Sequence, residues 1–258
     1  MSKIKIIAHR GGYKESKTVE NSMEAIKYAV SKNYIDGVEF DVRVTKDNKL
    51  VVFHDYGIKY NSKNYKISNT DYTKLNQIHI KKYKTKLATL DEVLSIIPRK
   101  KLIFLEIKLG EISKKEETLQ LVYNSIEKYK TKNIVIISFI YKFLKFFIKR
   151  KYPTCLLLNR HSKLFELKAY FRTYLNLNLD IISMDKRMVN HKNSKMILRS
   201  SKSYGIYTID SINEINDVIN KIGIDVVKKY KNKLYITTTN PKLIYERIKV
   251  LNEENKKI

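Results

Sequence analysis

Tryptophan is absent from this 258-residue chain, cysteine occurs once, proline three times and glycine seven times. A single cysteine excludes an internal disulfide and a cysteine metal cluster. Its setting, Thr154-Cys155-Leu156-Leu157-Leu158, is that of a buried strand, so the thiol reads as structural rather than nucleophilic. So little glycine and proline leaves scant material for flexible linkers. No stretch approaches the roughly 20 apolar residues of a membrane span. Met1-Ser2-Lys3-Ile4-Lys5 brings in charge too early for the apolar core of a signal peptide, so the expected location is cytoplasmic, at most peripheral at a membrane. Acidic residues are scarce as well: 26 Asp plus Glu stand against 52 Lys plus Arg, a formal net charge of +26. A chain so basic attracts polyanions and anionic membranes at low salt. Its lysines are nevertheless spread along the whole length, which favours a solvated surface of biased composition over a specific nucleic-acid interface.

Hydrophobic residues make up 43% of the chain, enough for a sizeable core, and the length suits one α/β barrel domain. Short β-rich runs alternate with helical patterns. Strands are expected over residues 4–8, 37–42, 50–53, 102–107, 134–138, 154–158, 181–183 and 205–209, with another inside the Lys-rich stretch 225–238. Helices are expected over 20–32, from an N-cap at Thr89 through Ile97, and over 115–130, 139–151, 163–175, 191–202, 211–221 and from Asn240-Pro241 to about 252. About eight βα units, with neither a GxGxxG nor a P-loop motif, predict a closed (β/α)8 TIM barrel, although alternation alone also fits an open doubly wound sheet. Residues 57–86, rich in Lys, Asn and Tyr with weak periodicity, read as a small insertion after the second strand region rather than a separate domain. The helix near Phe139-Ile140-Tyr141-Lys142-Phe143-Leu144 carries Lys142, Lys145 and Lys149 along one side. It reads as an outer barrel helix with its broad apolar face on the sheet, in preference to a membrane-docking helix.

Polar residues stand at strand ends where a core strand has no use for them: His9-Arg10-Gly11-Gly12, Glu39-Phe40-Asp41, His54-Asp55 and Glu106-Ile107-Lys108. In a barrel the carboxyl ends of the strands converge on one face, so these groups can meet. Glu39 and Asp41, two apart on a strand, share a face; with Glu106 they offer an all-oxygen site for a divalent cation, Mg2+ or Ca2+. Arg10 and Lys108 supply positive charge for a phosphate. His9 and His54 suit a general base and a general acid. Gly11 and Gly12 let the chain turn tightly behind His9. His79, His161 and His191 lack such company and read as structural or exposed.

These motifs, with Glu20-Asn21-Ser22, Thr45-Lys46-Asp47, Thr89-Leu90 and, more loosely, Ser138-Phe139, Tyr207-Thr208 and Thr239-Asn240-Pro241, resemble the glycerophosphodiester phosphodiesterase family. The resemblance spans essentially the whole chain, and its specificity comes from the first 110 residues. It implies a (β/α)8 barrel, a divalent cation and hydrolysis of small glycerophosphodiesters to sn-glycerol 3-phosphate and an alcohol. It also implies metal ligation by Glu39, Asp41 and Glu106, acid–base work by His9 and His54, and phosphate contacts from Arg10 and Lys108. The chain departs from the family pattern at Val19, where proline is usual, and at Asn240, where aspartate is usual. Tyr207 replaces a frequent Trp, altering the wall against the glycerol or leaving group, and the 228–233 stretch looks inserted. These departures bear on substrate identity more than on reaction class. A phospholipase D- or C-like enzyme on lysolipids, a hydrolase of glycerophosphate-containing polymer acting on a polyanion, and a basic nucleic-acid-binding protein are the competing readings.

Overall fold

In the computed structural model, residues 3–108, 115–130, 133–159 and 175–254 are described. Strands β1 (Lys5–Ala8), β2 (Gly37–Val44), β3 (Leu50–Val52), β4 (Gly57–Tyr60), β5 (Lys63–Lys66), β6 (Leu102–Ile107), β7 (Ile134–Ser138), β8 (Thr154–Leu158), β9 (Ile181–Asp185), β10 (Ser203–Tyr207) and β11 (Leu234–Thr238) follow in chain order. Eight of them run parallel in the spatial order β1, β2, β6, β7, β8, β9, β10, β11, and β11 pairs back onto β1. The sheet is a closed (β/α)8 barrel, as the alternation of elements predicts.

Period-two alternation sorts each strand into two faces. Outward residues such as Val38, Phe40, Val42, Ile103, Leu105, Ile136, Leu156, Ile182 and Ile206 pack under the helices in one continuous core. Inward residues Ile7, Phe104, Val135, Ile137, Cys155, Leu157 and Ile181 fill the lumen as a second cluster. Glu39 and Asp41 belong to the inward set of β2, and the register places Glu39 beside Phe104 and Asp41 beside Glu106. The same alternation that hides Phe40 beneath a helix therefore turns both carboxylates into the barrel.

Local chemistry fixes the ends of several elements. The first return helix spans Met23–Ser31 rather than beginning at Glu20, because the Ser22 hydroxyl caps it by accepting from Ala25 N at 3.2 Å. The helix Leu90–Ile96 has the expected capping box: Thr89 N donates to Glu92 Oε2 at 2.9 Å while Glu92 N donates to Thr89 Oγ1 at 3.3 Å. The helix Tyr141–Ile148 buries Phe143, Leu144 and Phe147 against the barrel and leaves Lys142 and Lys145 exposed, the packing role expected of it. The expected helix over 163–175 lies almost wholly outside the described residues, as does His161.

Leu50–Val52, a short strand expected in addition to the barrel strands, folds back antiparallel on the end of β2, with Val52 opposite Val42. The seventh barrel strand is Ser203–Tyr207, two residues earlier than expected, since Asp210 and Ser211 turn the chain into the helix Ile212–Ile222. The strand expected inside 225–238 is β11, and the helix Ile224–Tyr230 with a tight turn precedes it. Residues 57–86 form the β4–β5 hairpin and the helix Tyr72–Tyr83 over a small core of Val51, Phe53, Ile58, Ile67, Leu75, Ile78 and Leu87. Because this stretch lies between β2 and its return helix, it rises from the carboxyl face of the barrel.

Candidate active site

Four chain segments build the site at the carboxyl mouth. After β1 the chain turns through His9–Gly11 with Arg10, Gly11 and Gly12 all at positive φ, 49°, 82° and 69°. Gly11 is required twice over, for its φ and because a Cβ there would stand 2.7 Å from Ala25 Cβ. This turn aims Arg10 N at Glu39 Oε2, to which it donates at 2.9 Å. From β2 and β6, Glu39, Asp41 and Glu106 bring one carboxylate oxygen each to within 4.8 Å of one another, all buried. β3 returns the chain to the level of Asp41, whose carbonyl accepts from Phe53 N at 2.9 Å, and His54 follows at the rim.

The polar groups are tightly interlocked. Lys108 Nζ sits 2.6 Å from Glu106 Oε1 and 3.3 Å from Asp41 Oδ1. Arg10 pairs with Glu20 at 2.8 Å and approaches Asp41 Oδ2 at 3.4 Å. The Asn21 amide donates to Asp41 Oδ2 at 2.9 Å. His9 Nε2 lies 3.7 Å from Glu39 Oε2, while its buried Nδ1 has no hydrogen-bond partner. His54 Nδ1 lies 2.9 Å from Asp55 Oδ1, and the His54 carbonyl accepts from Arg43 Nε and Nη2 at 2.9 and 2.7 Å.

Burial and mutual charge shape the acids. Burial, reinforced by Asp41 and Glu106, pushes the Glu39 carboxyl well above the ordinary glutamate range. Burial and then Asp41 raise Glu106 to about 7. Burial also works against Asp41, but Lys108, His54, Arg10 and Asn21 together hold it below its ordinary value. Burial, then the neighbouring Arg10, lowers His9 to about 4. Three buried carboxylates brought together, with Arg10 and Lys108 beside them, form an all-oxygen donor set of the kind a hard divalent cation takes.

A cavity of about 220 Å3 opens beside this cluster, lined by His9, Arg10, Glu39, His54, Glu106 and Lys108 on one side. Phe104, Ile137, Phe139, Leu157 and Tyr207 form an apolar wall opposite. The Tyr207 hydroxyl is engaged, donating to Leu158 O at 2.7 Å, so the residue offers its ring, which meets Phe139 edge-on at 6.2 Å. Seven of the eight residues proposed from sequence line this one cavity; Asp41 sits behind it, within the carboxylate cluster.

Outside it, His79 and His191 are structural, each with Nδ1 2.8 Å from a main-chain carbonyl, Thr85 O and Ile222 O respectively. Cys155 is fully buried at the cavity floor, and burial pushes its thiol up. Sequence reasoning assigned no role to Glu20, Asn21, Phe104 or Phe139. Glu20, Asn21 and Phe139 stood in quoted motifs, and Asn21 has φ 60°, a conformation that asparagine tolerates better than most.

Fold and site together define a (β/α)8-barrel protein with a carboxylate-rich polar centre at its mouth. The glycerophosphoryl diester phosphodiesterase family model matches residues 9–209. The chain belongs to that family. A glycerophosphodiester phosphodiesterase from Caldanaerobacter subterraneus subsp. tengcongensis is 51% identical over 51 residues, an alignment spanning only 19% of each protein. Among solved structures, a glycerophosphodiester phosphodiesterase from Thermotoga maritima superposes with a TM-score of 0.72 at 22% identity, covering 94% of this chain and 97% of that one. A phosphodiesterase from Oleispira antarctica, in complex with the product sn-glycerol-3-phosphate, gives 0.76 at 18% identity, covering 96% and 97%. At these identities the structural likeness speaks to the fold.

Proposed function

We propose that this chain is a phosphoric diester hydrolase that cleaves glycerophosphodiesters to sn-glycerol 3-phosphate and an alcohol. The observation that carries the reading is the meeting of two imidazoles and three buried carboxylates around one cavity, with two cations among them. Family membership supports the same reaction class.

The donor set fits a hard divalent cation, Mg2+ or Ca2+, held by Glu39, Asp41 and Glu106; when bound it would stabilise negative charge on a phosphoryl oxygen. Arg10 and Lys108 place two fixed positive charges beside the phosphate and orient it. His9, kept neutral by burial, accepts the proton of the attacking hydroxyl. His54, whose ring is oriented by Asp55, delivers a proton to the leaving oxygen. Water and a hydroxyl of the substrate itself can both be the attacker, and the same pair serves either route. Phe139 and Tyr207 exclude water from the leaving-group side. The glycerophosphodiesters that fit such a cavity are small molecules, and the residues 57–86 are a small insertion in a single domain.

A substrate panel tests the reading. Glycerophosphocholine, glycerophosphoethanolamine, glycerophosphoglycerol, glycerophosphoinositol, lysolipids and a polyglycerophosphate would each be incubated with Mg2+, Ca2+ or EDTA. The expected result is cation-dependent release of sn-glycerol 3-phosphate from at least one diester; release of none of the expected products from any of them would overturn it.

A further inference from the structure

The carboxyl face carries apolar side chains that the proposed chemistry does not use. Ile140 and Ile212 are 47% and 45% exposed, and each follows a barrel strand at its carboxyl end, so both stand on the rim. Tyr56 on the same face is 46% exposed. Neither Ile140 nor Ile212 lines the cavity. The insertion rising from that face adds charge of one sign: residues 57–86 hold eight lysines, all exposed, against the single acid Asp71. Among the described residues Lys59, Lys63, Lys66 and Lys74 pair with no carboxylate; Lys63 and Lys74 instead approach the Tyr65 ring at 5.4 and 5.8 Å.

We infer that the mouth of the barrel docks on an anionic lipid surface, with Ile140 and Ile212 entering the interface and the lysines of the 57–86 insertion reading the negative headgroups. Charge alone would serve any polyanion. The rim isoleucines decide for a bilayer, because a soluble polyanion offers nothing apolar for them to enter, whereas an interface takes up apolar side chains flanked by lysine. The inference extends the hydrolase reading by saying where the substrate is collected: at a lipid surface, with the cavity facing it. No helix among the described residues is long and apolar enough to cross a membrane, so attachment would be from one side.

The experiment is sedimentation of the full chain with phosphatidylcholine vesicles with and without phosphatidylglycerol, at low and high salt. It needs no turnover, so its failure leaves the hydrolase reading intact. Binding is expected only to phosphatidylglycerol-containing vesicles, reduced by salt. Reversing Lys59, Lys63 and Lys66 to glutamate, or replacing Ile140 and Ile212 by glutamate, should each weaken binding by about tenfold or more. Circular dichroism would confirm that both variants fold, and each should hydrolyse a water-soluble diester as the parent does. Failure of the parent chain to sediment with anionic vesicles would overturn the inference. So would vesicle binding that is lost with the lysines yet unchanged by the isoleucine substitutions, which would mark a general polyanion surface instead.

Discussion

Asn21 clamps Asp41 at two points: its side-chain amide donates to Asp41 Oδ2 at 2.9 Å, and its Oδ1 accepts from Asp41 N at 3.3 Å. The clamp holds a charged carboxylate at the back of the cluster, where it cannot swing away from Glu106. Asn21 is itself held, donating its main-chain N–H to Arg10 O at 3.1 Å from a turn at positive φ.

Groups that orient a ligand side chain commonly govern affinity by about 10–100-fold. Asn21→Ala should therefore weaken Mg2+ or Ca2+ binding by that order in calorimetric titration, with the secondary structure intact. Unchanged affinity would remove Asn21 from the positioning role.

Glu39 makes a different prediction. Burial and its acidic neighbours disfavour the charge on its carboxyl, and a glutamine there keeps the shape without the charge. Glu39→Gln should leave the Tm in EDTA within about 2–4 °C of the parent, the span of 1 kcal/mol for a chain of this size. It should also abolish the rise in Tm that added cation produces. A large loss of stability in EDTA would show that Glu39 is charged in the cation-free protein.

The capping box at Thr89 and Glu92 predicts a pH signature. Burial disfavours the Glu92 charge, but Lys86 at 2.5 Å and the N–H and hydroxyl of Thr89 outweigh it, leaving the carboxyl below its ordinary 4.5. A carboxyl depressed on folding contributes stability that is complete above its unfolded value and is lost as pH falls through the folded value. Thermal melts should show a stability gap between parent and Glu92→Gln at neutral pH that closes below about pH 4.5. Thr89→Ala should cost about 1 kcal/mol at neutral pH.

Tyr207 separates ring from hydroxyl. Since its hydroxyl is spent on Leu158 O, Tyr207→Phe should leave kcat/KM nearly unchanged. Tyr207→Ala removes the wall that meets Phe139 and should lower kcat/KM by about tenfold or more. Equal losses from both would instead give the hydroxyl a direct part in substrate binding.

The fold was legible in the sequence wherever strands were buried on both faces and helices had caps. Runs such as Ile134–Ser138 and Thr154–Leu158 have a single reading, and the Thr89–Glu92 pair announces a helix start. Polar residues inside such strands, Glu39, Asp41 and Glu106, were legible for the same reason: a core has no use for them. Ser22 was harder to place, because helical periodicity runs past a cap in either direction, and the cap is seen only when its hydroxyl meets Ala25 N. β3 was legible as a short strand, but three apolar residues do not say what they pair with, and only the register of Val52 opposite Val42 shows the fold-back. The Lys-rich 228–233 stretch concealed a helix for want of a core face. Asn21 and Phe139 escaped a role because their importance lies in what they touch, the carboxylate of Asp41 and the ring of Tyr207, across long sequence separations.

The central claim is that two imidazoles flank a cation-holding cluster and move protons during diester cleavage. The most direct test is phosphorus NMR of sn-glycerol 3-phosphate release by the parent chain, His9→Ala and His54→Ala, each with Mg2+, with Ca2+ and with EDTA. The account predicts cation-dependent product from the parent and rates lower by about 10²–10⁴-fold in each folded variant. Near-parental, cation-dependent release by both variants would contradict it.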